Sequence, residues 1–210
     1  EHGIILGQLC NALEPRLAWY FSSANSGLRL LLTPALRQQL RADHEAAVAL
    51  CLKMGMRSCK ELREAVNLQR INKGLSATDL ATLGTLASVL PGLMVLCLGE
   101  YSGAAGPDGV QRLAEGLDAG ALPALNFLAF GGMHVGDAGA SALAAALGQG
   151  ALPRLKILSL INTAIGDAGL VALAPALRRL PALEFLGLTG NSFGDEGLAA
   201  LVAPPPPAGA

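Results

Sequence analysis

The chain has 210 residues, a net charge of −1 and a hydrophobic fraction of 52%, with only 4% aromatic residues. Its buried surface must come from many small Leu and Ala contacts, over a length suited to one or two ordinary domains. No apolar run nears the ~18 residues that span a bilayer, basic residues alternate with acids rather than forming a nucleic-acid footprint, and the four cysteines lack CxxC or His-flanked spacing, so neither metal nor redox chemistry is expected.

The first residues, Glu1 to Leu6, carry no initiator Met and no basic leader. They do not read as a secretory signal, and the chain reads as part of a longer one. Scattered thiols at Cys10, Cys51, Cys59 and Cys97 suit a reducing setting, cytoplasmic or nuclear, where they serve as small buried hydrophobes. Pro15 after Glu14 opens a helix through Leu17, Trp19 and Phe21 to about Ala24. Thr33-Pro34 opens a longer one through Leu36, Leu40, Ala47 and Leu50, with Thr as cap and Pro at the first helical position. Ser58-Cys59-Lys60-Glu61 has the spacing of a capping box for a third helix, with Leu62 and Val66 on one face. Residues 1–61 are thus expected to form an α-helical region. Residues 1–75 hold ten basic and six acidic residues, against five and ten in residues 76–210, which sets the two parts apart.

Residues 62–203 are dominated by an internal repeat. Val66-Asn67-Leu68 predicts a short strand, and Leu75-Ser76-Ala77-Thr78-Asp79 followed by Leu80, Leu83, Leu86 and Leu90 predicts a helix. Then Leu-x-x-Leu-x-Leu recurs from Leu93, Leu125, Leu155 and Leu183, with Phe130 as the one aromatic stand-in. The leading leucines are 32, 30 and 28 residues apart. A period in this range means stacked supersecondary units. After each strand comes a turn and a Gly-Asp-x-Gly: 136–139, 166–169 and 194–197, with the variant Gly106-Pro107-Asp108-Gly109 in the first. Leucines spaced three and four apart follow, such as Leu170, Leu173 and Leu177, giving each unit an amphipathic helix. Pro91, Pro123, Pro153 and Pro181 precede the next strand and are expected to stop these helices. Asp137, Asp167 and Asp195 stand at helix starts, where a carboxylate caps the first-turn amides and suits the positive end of the dipole. One Asp per repeat reads as a cap rather than as a catalytic set. Residues 204–210, with four consecutive prolines, read as an extended loop or tail.

Over residues 91–203 this pattern resembles the leucine-rich repeats of the ribonuclease-inhibitor-like class. The resemblance implies an α/β solenoid with parallel strands on a concave side and helices on a convex side. The family favours an Asn after the last strand leucine, bridging neighbouring turns. Here only Asn191 stands in that place, against Tyr101, Met133 and Thr163, so the early turns are expected to be less tied together. Residues 13–18, 22–25 and 28–32 resemble the later part of an F-box, which implies docking onto a ubiquitin-ligase scaffold protein.

If the repeat leucines point inward, alternation turns the residues between them outward. The concave face then presents Val95, Cys97 and Gly99; Phe127, Ala129 and Gly131; Ile157, Ser159 and Ile161; and Phe185, Gly187 and Thr189. Val95, Phe127, Ile157 and Phe185 make an apolar stripe, the mark of a partner site or of a surface covered by residues 1–60. The expected function is a non-enzymatic protein-interaction module binding a protein partner through Val95, Cys97, Phe127, Ala129, Ile157, Ser159, Ile161, Phe185 and Thr189. The alternatives are an F-box-like substrate receptor and a regulator of another enzyme. The last wants an arginine near a concave edge, for which Arg112 and Arg154 are the candidates. His2, His44 and His134, the only histidines, have no nucleophile at a telling spacing. No cofactor, metal, nucleic acid or membrane is called for.

Overall fold

The computed structural model describes residues 33–106 and 108–203. The helix expected from Pro15, the F-box-like segment and the proline run lie outside the described residues. The chain divides into two compact units between Glu64 and Ala65.

In the first unit, α1 (Pro34–Lys53) begins where the Thr33 hydroxyl accepts from the Leu36 amide at 3.2 Å. It buries Leu40, Ala47, Leu50 and Cys51. Gly55, at φ +75°, ends it: the Gly55 amide donates to Leu52 and the Met56 amide to Cys51, the pair of bonds of a Schellman turn. In α2 (Cys59–Arg63) the Ser58 hydroxyl accepts from Glu61 at 3.3 Å. The Glu61 carboxylate returns to Arg57 rather than to Ser58, at 2.8 Å, so the expected box is shifted by one residue. Val66 is not on this helix. It is exposed, and its carbonyl accepts from both Met94 and Val95: cross-strand pairing claims this backbone.

The second unit alternates strands and helices: β1 (Asn67–Ile71), α3 (Ala77–Leu86), β2 (Val95–Gly99), α4 (Gly109–Glu115), β3 (Phe127–Gly131), α5 (Gly136–Gly148), β4 (Ile157–Ser159), α6 (Asp167–Leu177), β5 (Phe185–Gly187) and α7 (Asp195–Val202). The strands form one parallel sheet in chain order. This is an α/β leucine-rich-repeat solenoid. Its pairing sets Leu68, Leu96, Leu128, Leu158 and Leu186 in one row. From Leu93 to Leu160 every strand leucine, and Phe130, is at most 2% exposed. Each such side chain removed from water contributes about 1.5–3 kcal/mol, which makes this spine the main source of stability. Leu183, Leu186 and Leu188 are only half-buried, because among the described residues no further coil packs on β5.

Pro123 and Pro153 do not stop the helices before them. α4 and α5 end well before Pro123 and Pro153. In α5 the stop is Gly150, at φ +90°, with its amide bonded to Leu147 and the Ala151 amide to Ala146, a second Schellman turn. Pro123 and Pro153 instead follow Leu122 and Leu152, buried residues held at φ 48° and 55°. They mark the corner that returns the chain to the sheet.

Candidate protein-binding face

Strand register builds this face. Val95, Phe127, Ile157 and Phe185 fall in one row across β2–β5, with Asn67 of β1 at its end. Two residues along lies the row Gln69, Cys97, Ala129, Ser159 and Gly187. Val95, Phe127 and Ile157 are half-buried and Phe185 is 56% exposed. The expected alternation therefore holds, and one apolar row stands on the side opposite the leucine spine. Cys97 and Ser159 are half-buried, Ile161 and Thr189 exposed. Ala129 is only 7% exposed, since the half-buried Phe127 stands two residues away on the same face; it forms floor rather than contact surface. The sheet has a fifth strand, β1, which adds Asn67, Gln69 and Ile71 to the face. Four gaps of ~4.8 Å make it about 19 Å across.

What holds successive coils in register differs from the expectation in one respect. Asp137, Asp167 and Asp195 do not cap their own helices. Asp137 is the second residue of α5, and Asp167 and Asp195 are the first of α6 and α7, too deep in the turn to fold back on its amides. Asp137 Oδ1 instead accepts from Gly166 at 2.7 Å and Gly169 at 3.0 Å, at the start of the next helix. Asp167 Oδ1 repeats this on Gly194 at 2.8 Å and Gly197 at 2.7 Å. Asp137 and Asp167 thus each cap the following repeat. The second glycine of the motif has its reason here: a Cβ at Gly169 would stand 2.6 Å from Asp137 Oδ1. In the first repeat the cap is local, through a capping box between Ser76 and Asp79. Asp108 instead pairs with Arg112 at 2.6 Å, and that hydrogen bond holds the Asp108 carboxyl below its ordinary range.

Asn191 bridges turns as its place in the repeat implies. Its Oδ1 accepts from the amides of Thr163 and Ile165, and its Nδ2 donates to the carbonyls of Leu160 and Leu188. The turns after β1 and β2 are nonetheless tied together. Glu100, one residue before the expected position, is 2% exposed and accepts from Gly74 at 2.7 Å, from Leu75 at 3.1 Å, and from the Ser102 amide and hydroxyl. Burial opposes its charge, but the Ser102 hydroxyl and the Ser102, Leu75 and Gly74 amides outweigh that, and the carboxyl sits below its usual value of 4.5. Asn72 Oδ1 adds a bond to the Tyr101 amide. The strand-edge ion pair Lys156–Glu184, at 2.8 Å and exposed on both sides, contributes little.

Three features had no clear signal in the sequence. Glu100 is one. The second is the contact of Cys51 with Cys59, buried with Sγ atoms 4.0 Å apart; burial first, and the neighbouring thiol next, push Cys51 up to about 12. The third is an open groove of about 600 Å³ between α4 and α5 on the helix side, lined by Ala138, Ala142, Ala145 and Gln149. It opens because α4 has 7 residues against 13 in α5.

Residues 152–174 and 181–202, which hold β4, most of α6, β5 and α7, match a family described as Leucine Rich repeat. The chain carries leucine-rich repeats. Such repeats support a protein-interaction module. No curated protein matches the chain. No helix among the described residues is long and apolar enough to cross a membrane.

Proposed function

We propose that this protein is a non-enzymatic interaction module whose strand face binds another protein, through Val95, Cys97, Phe127, Ile157, Ser159, Ile161, Phe185 and Thr189, with Ala129 beneath them. The observation that carries the reading is the apolar row Val95–Phe127–Ile157–Phe185, kept partly in solvent opposite a filled leucine core. Apolar surface arranged in this way marks partner sites. The aspartates that a catalytic reading would select are already engaged, Asp137 and Asp167 each accepting from two backbone amides. The ribonuclease-inhibitor-like class is favoured by a full helix between successive strands. The test is capture of a partner by the parent chain and by two variants: Phe127→Asp with Phe185→Asp on the strand face, and Val171→Asp, 41% exposed on α6. The reading expects loss only in the first. Equal capture by both variants would remove it.

A second reading is a substrate receptor of a ubiquitin ligase, resting on the F-box resemblance of residues 13–32. Reconstitution with purified scaffold protein tests it; absence of a complex at micromolar concentrations ends it. Control of another enzyme by an exposed arginine is less favoured, because Arg112 is engaged by Asp108.

A further inference from the structure

The strand face is shaped as well as apolar. Its first row, Val95–Phe127–Ile157–Phe185, is one ridge. A second is formed by Ile71 and Tyr101, 53% and 66% exposed, and by Ile161. These three lean onto glycines of neighbouring coils. A Cβ at Gly99 would meet Ile71 Cγ1 at 3.3 Å, one at Gly187 would meet Ile161 at 3.4 Å, and the Tyr101 ring lies over Gly132. Between the ridges the row Cys97–Ala129–Ser159 is small, so the face sinks there, and the exposed Gln69 stands in the same row at the β1 end. Phe185, whose ring lies 3.2 Å from where Gly187 would carry a Cβ, narrows the β5 end.

The dimensions decide what fits. At Ile71 and Ile161 the ridges are four residues apart along the strands, or ~13 Å, while Tyr101 stands six along and folds back over Gly132; an α-helix with its side chains is ~10–12 Å wide. Across the strands the row advances ~4.8 Å per residue, close to the ~5.4 Å pitch of a helix. A helix lying across the strands therefore meets about one row residue per turn. The face offers about 19 Å by 13 Å, on the order of 250 Å². A globular partner needs roughly 800 Å² a side, whereas a helix seated in a groove needs only its apolar stripe covered.

We propose that the occupant of this trough is a single amphipathic helix of about three turns from another protein. It lies across the strands with apolar residues at i, i+4, i+7 and i+11 against the two ridges. The assignment rests on the strand-face reading and narrows it. The full chain is panned against two displayed peptide libraries with equal numbers of randomised positions. One has a helical Ala/Glu/Lys framework with those positions on one face; the other has an extended framework punctuated by Gly and Pro. The proposal expects binders from the helical library, apolar at three- and four-residue spacing. Their affinity falls at least tenfold in Ala129→Leu and in Ser159→Leu, which fill the floor and leave the ridges, with unchanged thermal unfolding. Binders from the extended library alone, or none from the helical one, overturn it. Helical binders that tolerate both floor variants but not Phe127→Asp with Phe185→Asp also overturn it, while leaving the strand-face reading standing; tolerance of all of them removes that reading too. A chain that sediments as a dimer and is made monomeric by Ala129→Leu makes a second copy the occupant, and the assignment fails.

Discussion

Replacing Asp137 by Ala isolates the device that joins one repeat to the next. The carboxylate accepts two amide bonds, at 2.7 and 3.0 Å, from Gly166 and Gly169. Loss of a helix cap costs typically ~1 kcal/mol. Loss of a negative charge at the helix start adds ~0.3–1 kcal/mol. The Gly169 amide lies on a buried residue, so stranding it raises the cost within the ~1–3 kcal/mol of an unmade bond. The expected loss is about 2 kcal/mol, read as a shift in the urea midpoint. Asp137→Asn keeps an acceptor and is expected to lose about half as much. Amide hydrogen exchange then locates the effect. The account requires protection to fall at Gly166, Gly169 and the first turn of α6, 29–32 residues away. If protection falls instead at Ala138–Ala140 of α5, the aspartate caps its own helix and the reasoning is wrong.

Glu100→Gln is expected to destabilise by ~1–3 kcal/mol at pH 7. Because the folded carboxyl lies below 4.5, its contribution is complete above the unfolded value and disappears as pH falls through the folded one; parent and variant should converge in acid, and parallel curves down to pH 3 would refute this. Gly84→Ala places a Cβ 2.5 Å from the Leu113 carbonyl oxygen, between α3 and α4, so it is expected to destabilise by about 1–3 kcal/mol despite the better helix propensity of Ala; a stabilised variant in thermal melts would contradict the helix spacing. With Cys51 pushed up to about 12, its thiol is expected to resist iodoacetamide at pH 8 until the chain unfolds; labelling of Cys51 at the rate of a free thiol, read by peptide mass spectrometry, would contradict its burial.

The leucine spine and the outward row were legible because strand alternation and a repeat near thirty residues both act within a few residues of sequence. The cap of α1 was legible for the same reason, through Thr33-Pro34. What escaped depends on the neighbouring coil. Asp137 stands where a local cap belongs, and only the coil stacking turns it to Gly166 and Gly169. Glu100 stands one place from the family's Asn, yet its longer side chain reaches amides of the preceding turn, Gly74 and Leu75. Gly150 ends α5 three residues before the proline that draws the eye. The Cys51–Cys59 contact needs the Gly55 turn to close. On the face, the row Val95–Phe127–Ile157–Phe185 follows from alternation, whereas the second ridge needs glycines in adjacent strands, which no single repeat reveals.

The central claim, that a partner is held on the apolar row of the strand face, is tested most directly by isothermal titration of one purified partner into the parent chain and into Phe127→Asp with Phe185→Asp. Circular dichroism melts of both are recorded alongside. The account predicts saturable heat with the parent, at least a hundredfold weaker binding with the double variant, and cooperative unfolding in both. Unaltered affinity in a folded double variant would contradict it.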